Sequence, residues 1–309
     1  MRERRQGLWM VLLAIVLTVG LAACGTAGPG GGGGDDGGDD PGGGDGPGET
    51  ASTGMVVVDE NDFMGSTSYE FSAMFLEGSG FLPSDIEGVL GSFIGTCYVD
   101  TDEDLPDVPS DPTEPPSGGG TSMTFLSVGD EVTFEAGGTA FLTLDKFVPE
   151  VDIGFDFIVY EMPEDTTIDS VPTDLTVSAP GDAFPAFSGV AMPRASIPSS
   201  PTLGATVDGS TTFTWTPDSA GAYRLLNVDV EGTGAHEGTR VDCLLDDADG
   251  SFSFASVADL PAGFTGEVTG VSRDAFNFET VAGDARLMLL ASGSQFSFDV
   301  LDRLERRLR

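Results

Sequence analysis

Positive charge is what this 309-residue sequence has least of. Thirteen Lys and Arg, with Lys146 the one lysine, stand against 51 Asp and Glu, a formal net charge of −38. That deficit excludes nucleic acid as a partner, because phosphate binding needs clustered cations that release counterions. Histidine is almost absent too. The one residue, His236, removes His-rich metal sites and would have to serve any Ser-His-Asp triad alone. It lies in Gly234-Ala-His-Glu-Gly238, a loop-like setting with no rigid element to aim it, and reads as an exposed loop histidine. The sequence also lacks a G-x-S-x-G elbow, an H-E-x-x-H helix, a Walker A loop and a Cys-x-x-Cys pair. Acid pairs of the kind a glycosidase uses are so abundant among 51 carboxylates that they discriminate nothing. The expectation is a protein that is not an enzyme.

What is present begins at the N-terminus. Arg2, Arg4 and Arg5 precede an apolar run from Leu8 to Leu21, and Leu21-Ala22-Ala23-Cys24-Gly25 closes it with small residues before a cysteine. This segment resembles the signal peptide of bacterial lipoproteins, whose lipobox it matches. The resemblance implies cleavage after residue 23, lipid on the Cys24 thiol and acylation of the new amino terminus. The partner it implies is therefore a membrane, reached through the lipid on Cys24. Gly25 in place of an aspartate implies sorting to the outer membrane where the host has one, with the body facing the periplasm or the cell exterior.

From residue 25 to 54 the composition shifts to 15 of the 44 glycines, with six acids as the only charges. Without apolar periodicity this stretch has no packed element to form, and residues 24–54 read as a disordered Gly/Asp tether. Such a coil spans roughly 30 Å on average and about 100 Å when stretched. Beyond Met55 the pattern alternates at period two. Tyr69, Phe71, Ala73 and Phe75, then Phe213 and Trp215, then Phe252 and Phe254, then Phe296 and Phe298 each put large residues on one face with small polar ones between. Turn residues such as Asp218-Ser-Ala-Gly221 and Asp247-Ala-Asp-Gly250 separate the runs. The expected fold class is all-β, with tandem antiparallel β-sandwiches over 55–192 and 193–301, split at the proline-rich stretch 193–201. Short matches at offsets near 146, such as Cys97-Tyr-Val-Asp100 with Cys243-Leu-Leu-Asp246, leave tandem duplication an open alternative. The composition and the alternating Phe and Trp of the second half resemble immunoglobulin-like modules of bacterial surface lipoproteins. A basic tail, 302–309, ends the chain.

Three sets of side chains are candidate sites beside Cys24. Asp100, Asp102 and Asp104 have the alternate spacing that lets carboxylates converge on calcium, at the head of a long acidic loop, 100–121. Asp246, Asp247 and Asp249 resemble half of a calcium loop, although Asp-Gly here is also an ordinary hairpin turn. For both, a solvated acidic loop is the alternative. Cys97 and Cys243 remain once Cys24 carries lipid. In an oxidising compartment they either form a disulfide, closing a 146-residue separation (243 − 97), or stay as two buried thiols. No cofactor is expected unless calcium binds. The functional expectation is a lipid-anchored envelope protein with a non-catalytic body for adhesion, envelope structure or binding of an envelope or extracellular ligand. A calcium-dependent carbohydrate- or protein-binding module is the alternative, and an envelope hydrolase a lesser one.

Overall fold

The period-two runs become strands, and the strands join into one sheet. A computed structural model describes residues 50–63, 66–79, 94–101, 123–148 and 157–296. In chain order the strands are β1 (Thr50–Phe63), β2 (Ser66–Ser79), β3 (Thr96–Thr101), β4 (Met123–Phe125), β5 (Glu131–Ala136), β6 (Thr139–Phe147), β7 (Val159–Glu161), β8 (Leu175–Ala179) and β9 (Phe187–Ala191). They continue with β10 (Thr206–Asp208), β11 (Thr212–Thr214), β12 (Tyr223–Gly232), β13 (Thr239–Asp246), β14 (Ser251–Ser253), β15 (Thr265–Ala282) and β16 (Ala285–Phe296). The chain is all-β. Its helical content among the described residues is three short 3-10 turns.

The main sheet follows the order β3-β13-β12-β15-β16-β1-β2-β7-β6-β5-β8-β9, with β10 added beside β15 and β4 beside β2. Phe71 on β2 and Phe134 on β5 lie three strands apart along that path, yet their rings meet edge to face at 5.0 Å. The sheet therefore curls back on itself and closes a core of Val56, Val58, Phe75, Leu144, Tyr160 and Val177, to which β16 contributes Leu287 and Leu289. A second core lies further along. Here the small β11–β14 sheet, with Phe213, Trp215 and Phe254 nearby, covers Leu226, Val228, Val241 and Val271. Burying six large side chains of this kind supplies about 10 kcal/mol or more of apolar transfer free energy, before the chain-ordering term is set against it.

Two features differ from the expectation of separate sandwiches. The ladder runs across residue 193, because β1 pairs in parallel with β16 and β3 pairs antiparallel with β13. Each core thus borrows a strand from the other part of the chain. The strand β1 also starts at Thr50, so residues 50–54 belong to the sheet and not to the tether. Gly54 shows why: it is buried between β2 and β16, where an added Cβ would fall 2.6 Å from atoms of Leu287 and Phe75. The strand β15 runs unbroken from Thr265 to Ala282, while residues 254–256 leave the alternation for a 3-10 turn.

The proline-rich stretch crosses the sheet as a strap. It lies directly on Gly293 of β16, where a Cβ would stand 2.5 Å from the backbone of Ser196 and Ile197. Backbone hydrogen bonds between Arg194 and Ala220 hold the strap's start. The variant Gly293→Ala should therefore lower stability by about 1–3 kcal/mol, read as a lower urea midpoint at unchanged slope.

Candidate functional site

The strap is held by a buried ion pair. On β15, Val271, Arg273 and Ala275 share the inward face, so the alternation drives a guanidinium into the interior. Arg273 is 3% exposed and Asp247, in the turn after β13, is 0% exposed. The Arg273 Nε donates to Asp247 Oδ1 at 2.9 Å, and its other nitrogens donate to the Thr216 carbonyl at 2.9 Å, the Ser196 carbonyl at 3.2 Å and Ser196 Oγ at 3.1 Å. The second Asp247 oxygen accepts from the Asp218 amide at 3.1 Å and Ser219 Oγ at 2.6 Å. Trp215 Nε1 donates to the Asp247 carbonyl at 2.9 Å. With no orphan donor or acceptor left among these groups, one node joins the strap, β15, the Trp215 loop and the end of β13.

This places the predicted residues plainly. Asp247 has an internal cation, Asp246 caps the turn by accepting from the Ala248 amide at 2.9 Å, and Asp249 points to solvent. The three carboxylates therefore serve three different ends and do not converge. Asp100 lies on β3, whereas Asp102, Asp104, Cys24, the signal segment and the basic tail lie outside the described residues. Among the described residues no group of three or more His, Cys, Asp or Glu is placed to hold a metal ion. Cys97 and Cys243 are direct partners in the β3–β13 ladder and are joined in a disulfide. The His236 ring sits 3.0 Å from the Gly263 carbonyl and packs on Phe264, bracing a loop.

Beside the strap, a cleft of about 210 Å³ opens over Val58 of β1 and Ala291 of β16. Its walls are residues 170–173 with Leu175 on one side and the strap on the other, and Glu60, Tyr69, Arg194 and Asp218 also line it. The Tyr69 hydroxyl donates to Glu60 Oε1 at 3.1 Å. Partial burial and the Glu60 charge hold that phenol above its ordinary pKa. Arg194 pairs with Asp218 at 2.9 Å, both about half exposed (46% and 50%).

The opposite face of the sheet carries half-buried acids that sequence reasoning passed over among so many carboxylates. Register aligns Glu70, Asp59, Ser292 and Asp274 in a row across β2, β1, β16 and β15. Burial raises the Asp59 pKa to about 6; the Asn61 amide and Ser292 oppose the rise, and the Asp274 and Glu70 charges add to it. Asp274 is raised by burial in the same way, against hydrogen bonds from Ser292 and Ser272. Asp229 rises to about 7 through burial and the Asp242 carboxylate, with Arg240 opposing. The sole sequence signal for the buried node was an arginine at an inward position of an alternating strand; for the acid rows there was none.

No family model matches the chain, and no curated protein or solved structure does.

Two measurements follow from these groups. Removing one partner of the buried pair, as in Asp247→Ala, should lower stability by about 3–5 kcal/mol in urea unfolding, because a desolvated guanidinium is left unpaired. Asp59 binds its proton more tightly folded than unfolded, so its contribution to stability is fully present below pH 3.8 and is lost as pH rises from there to about 6. Asp59→Asn should accordingly raise the thermal midpoint at pH 8, by the equivalent of about 1–2 kcal/mol, and leave it little changed at pH 4.

Proposed function

We propose that this is an exported, lipid-anchored cell-envelope protein whose non-catalytic β body serves adhesion or envelope structure while held at its anchor under tension. The observation that carries the reading is the place of β1. It is the first strand after the Gly/Asp-rich segment and lies mid-sheet, in register with β2 from Thr50 to Phe63 and parallel to β16 from Thr53 to Asp62. In a chain anchored at Cys24, a pull reaches the body at Thr50. Along the strand axis it loads both ladders together, and they cannot open one hydrogen bond at a time as a peeled edge strand does.

Three further points support the reading. The lipobox-like Leu21-Ala-Ala-Cys24 supplies an anchor, with Gly25 favouring the outer membrane where there is one. The Cys97–Cys243 bridge suits an oxidising compartment and closes a long loop, removing roughly 5 kcal/mol of unfolded-chain freedom in the entropic model. Moreover, the one histidine is committed to a loop contact.

Cells fed a radiolabelled fatty acid should label the wild-type chain and not Cys24→Ser; equal labelling of both would overturn the anchor. In single-molecule pulling between Cys24 and a handle at Gly138, Val56→Ala in β1 should lower the unfolding force and Val190→Ala in the edge strand β9 should not. An unchanged force for Val56→Ala would remove the mechanical part of the proposal and leave the anchor intact.

A further inference from the structure

The cleft beside the strap has the makings of a ligand site, and it stands on geometry independent of the anchor. It is a concavity at the edge of the first core, lined by Val58 and Leu175 of that core and by Tyr69, Val171 and Met192 packed against it. Its floor is rigid, since Val58 and Ala291 belong to the two strands at the middle of the sheet. One wall runs into the start of β8 at Leu175, and the strap wall is pinned by Arg273 and by the Arg194–Ala220 backbone pair. The space equals about seven water volumes, enough for a small molecule and too little for a polymer segment.

Its chemistry is lopsided. Arg194 and Asp218 neutralise each other across 2.9 Å. Glu60 is the charge left over. Its carboxylate takes the Tyr69 hydroxyl and, among the described residues, no lysine or arginine. Tyr69 thus braces the carboxylate and its aromatic side chain lines the same cleft, a pairing suited to an ammonium by charge and cation–π attraction. Val58, Val171 and Met192 offer apolar surface to the rest of a ligand. The field of the whole chain, at −38, draws cations to this mouth and repels anions. A zwitterion is disfavoured because its carboxylate would have to displace Asp218 from the one guanidinium present.

We propose that this cleft binds a small organic cation, a primary amine with a short alkyl body, with the ammonium on Glu60 and Tyr69 and the alkyl chain against Val58, Val171 and Met192.

The test is titration of the full-length chain in detergent micelles, followed by saturation-transfer NMR and calorimetry at low salt. The probes are n-butylamine, glucose, leucine and butanoate. Butylamine should bind with a Kd of about 1 mM, as suits so small a ligand, and the other three should not. Glu60→Gln should weaken it by about tenfold or more, while Glu237→Gln, an exposed acid outside the cleft, should leave it unchanged. Val171→Trp, which fills the cleft from its wall, should abolish binding with Glu60 intact and keeps the test decisive if Glu60→Gln fails to fold. Absence of butylamine binding would overturn the proposal, as would equal binding to wild type, Glu60→Gln and Val171→Trp, which is the mark of diffuse attraction to an acidic surface. Preference for glucose, leucine or butanoate would replace it with a different ligand class.

Discussion

A guanidinium buried where water cannot reach it must be answered by polar partners, and in the Arg273–Asp247 pair all three nitrogens are engaged, by Asp247, Ser196 and Thr216 together. Such a pair adds little net stability compared with an apolar pair of equal volume, since desolvation offsets the attraction. What it adds is position. Ser196, Thr216 and the turn after β13 all meet the Arg273 nitrogens, so the pair ties the strap to β15 where it crosses the sheet. The strap in turn requires Gly293 beneath it and forms one wall of the cleft. The strap wall of the cleft takes its place from this one interaction.

The second constraint is the exchange of strands. With β1 lodged between β2 and β16, the first core uses Leu287 and Leu289 from the far end of the chain. Through β3, the second core uses Cys97 and Val99. Neither core is complete with its own stretch of sequence, so the body behaves as one cooperative unit. Side chains reinforce the exchange: Ser294 Oγ donates to Asn61 Oδ1 at 2.6 Å across 233 residues of sequence. The disulfide does the same at the β3 edge. This arrangement explains how a chain with so strong a self-repulsion stays folded. The surplus acids on the opposite face are managed locally, by serine and asparagine donors and by holding protons to higher pH.

Local features of the sequence determined the strands and turns. Alternation over 67–76 or 223–231 depends on residues two apart, and Asp-Gly at 249–250 selects its turn through Gly250 at φ 66°. The all-β class and the position of most strands follow from such short-range rules, because the pleat repeats every second residue. What only the tertiary structure decided is which strand lies beside which. That β1 would pair in parallel with β16, that Cys97 would face Cys243, and that Asp247 would turn inward to Arg273 while Asp246 and Asp249 stay outside are matters of partners 26 to 233 positions apart. A carboxylate in a sequence holding 51 of them carries no mark of its future neighbour. The reason is physical: burial and charge pairing depend on the three-dimensional surroundings, and these exist only after the sheet has curled.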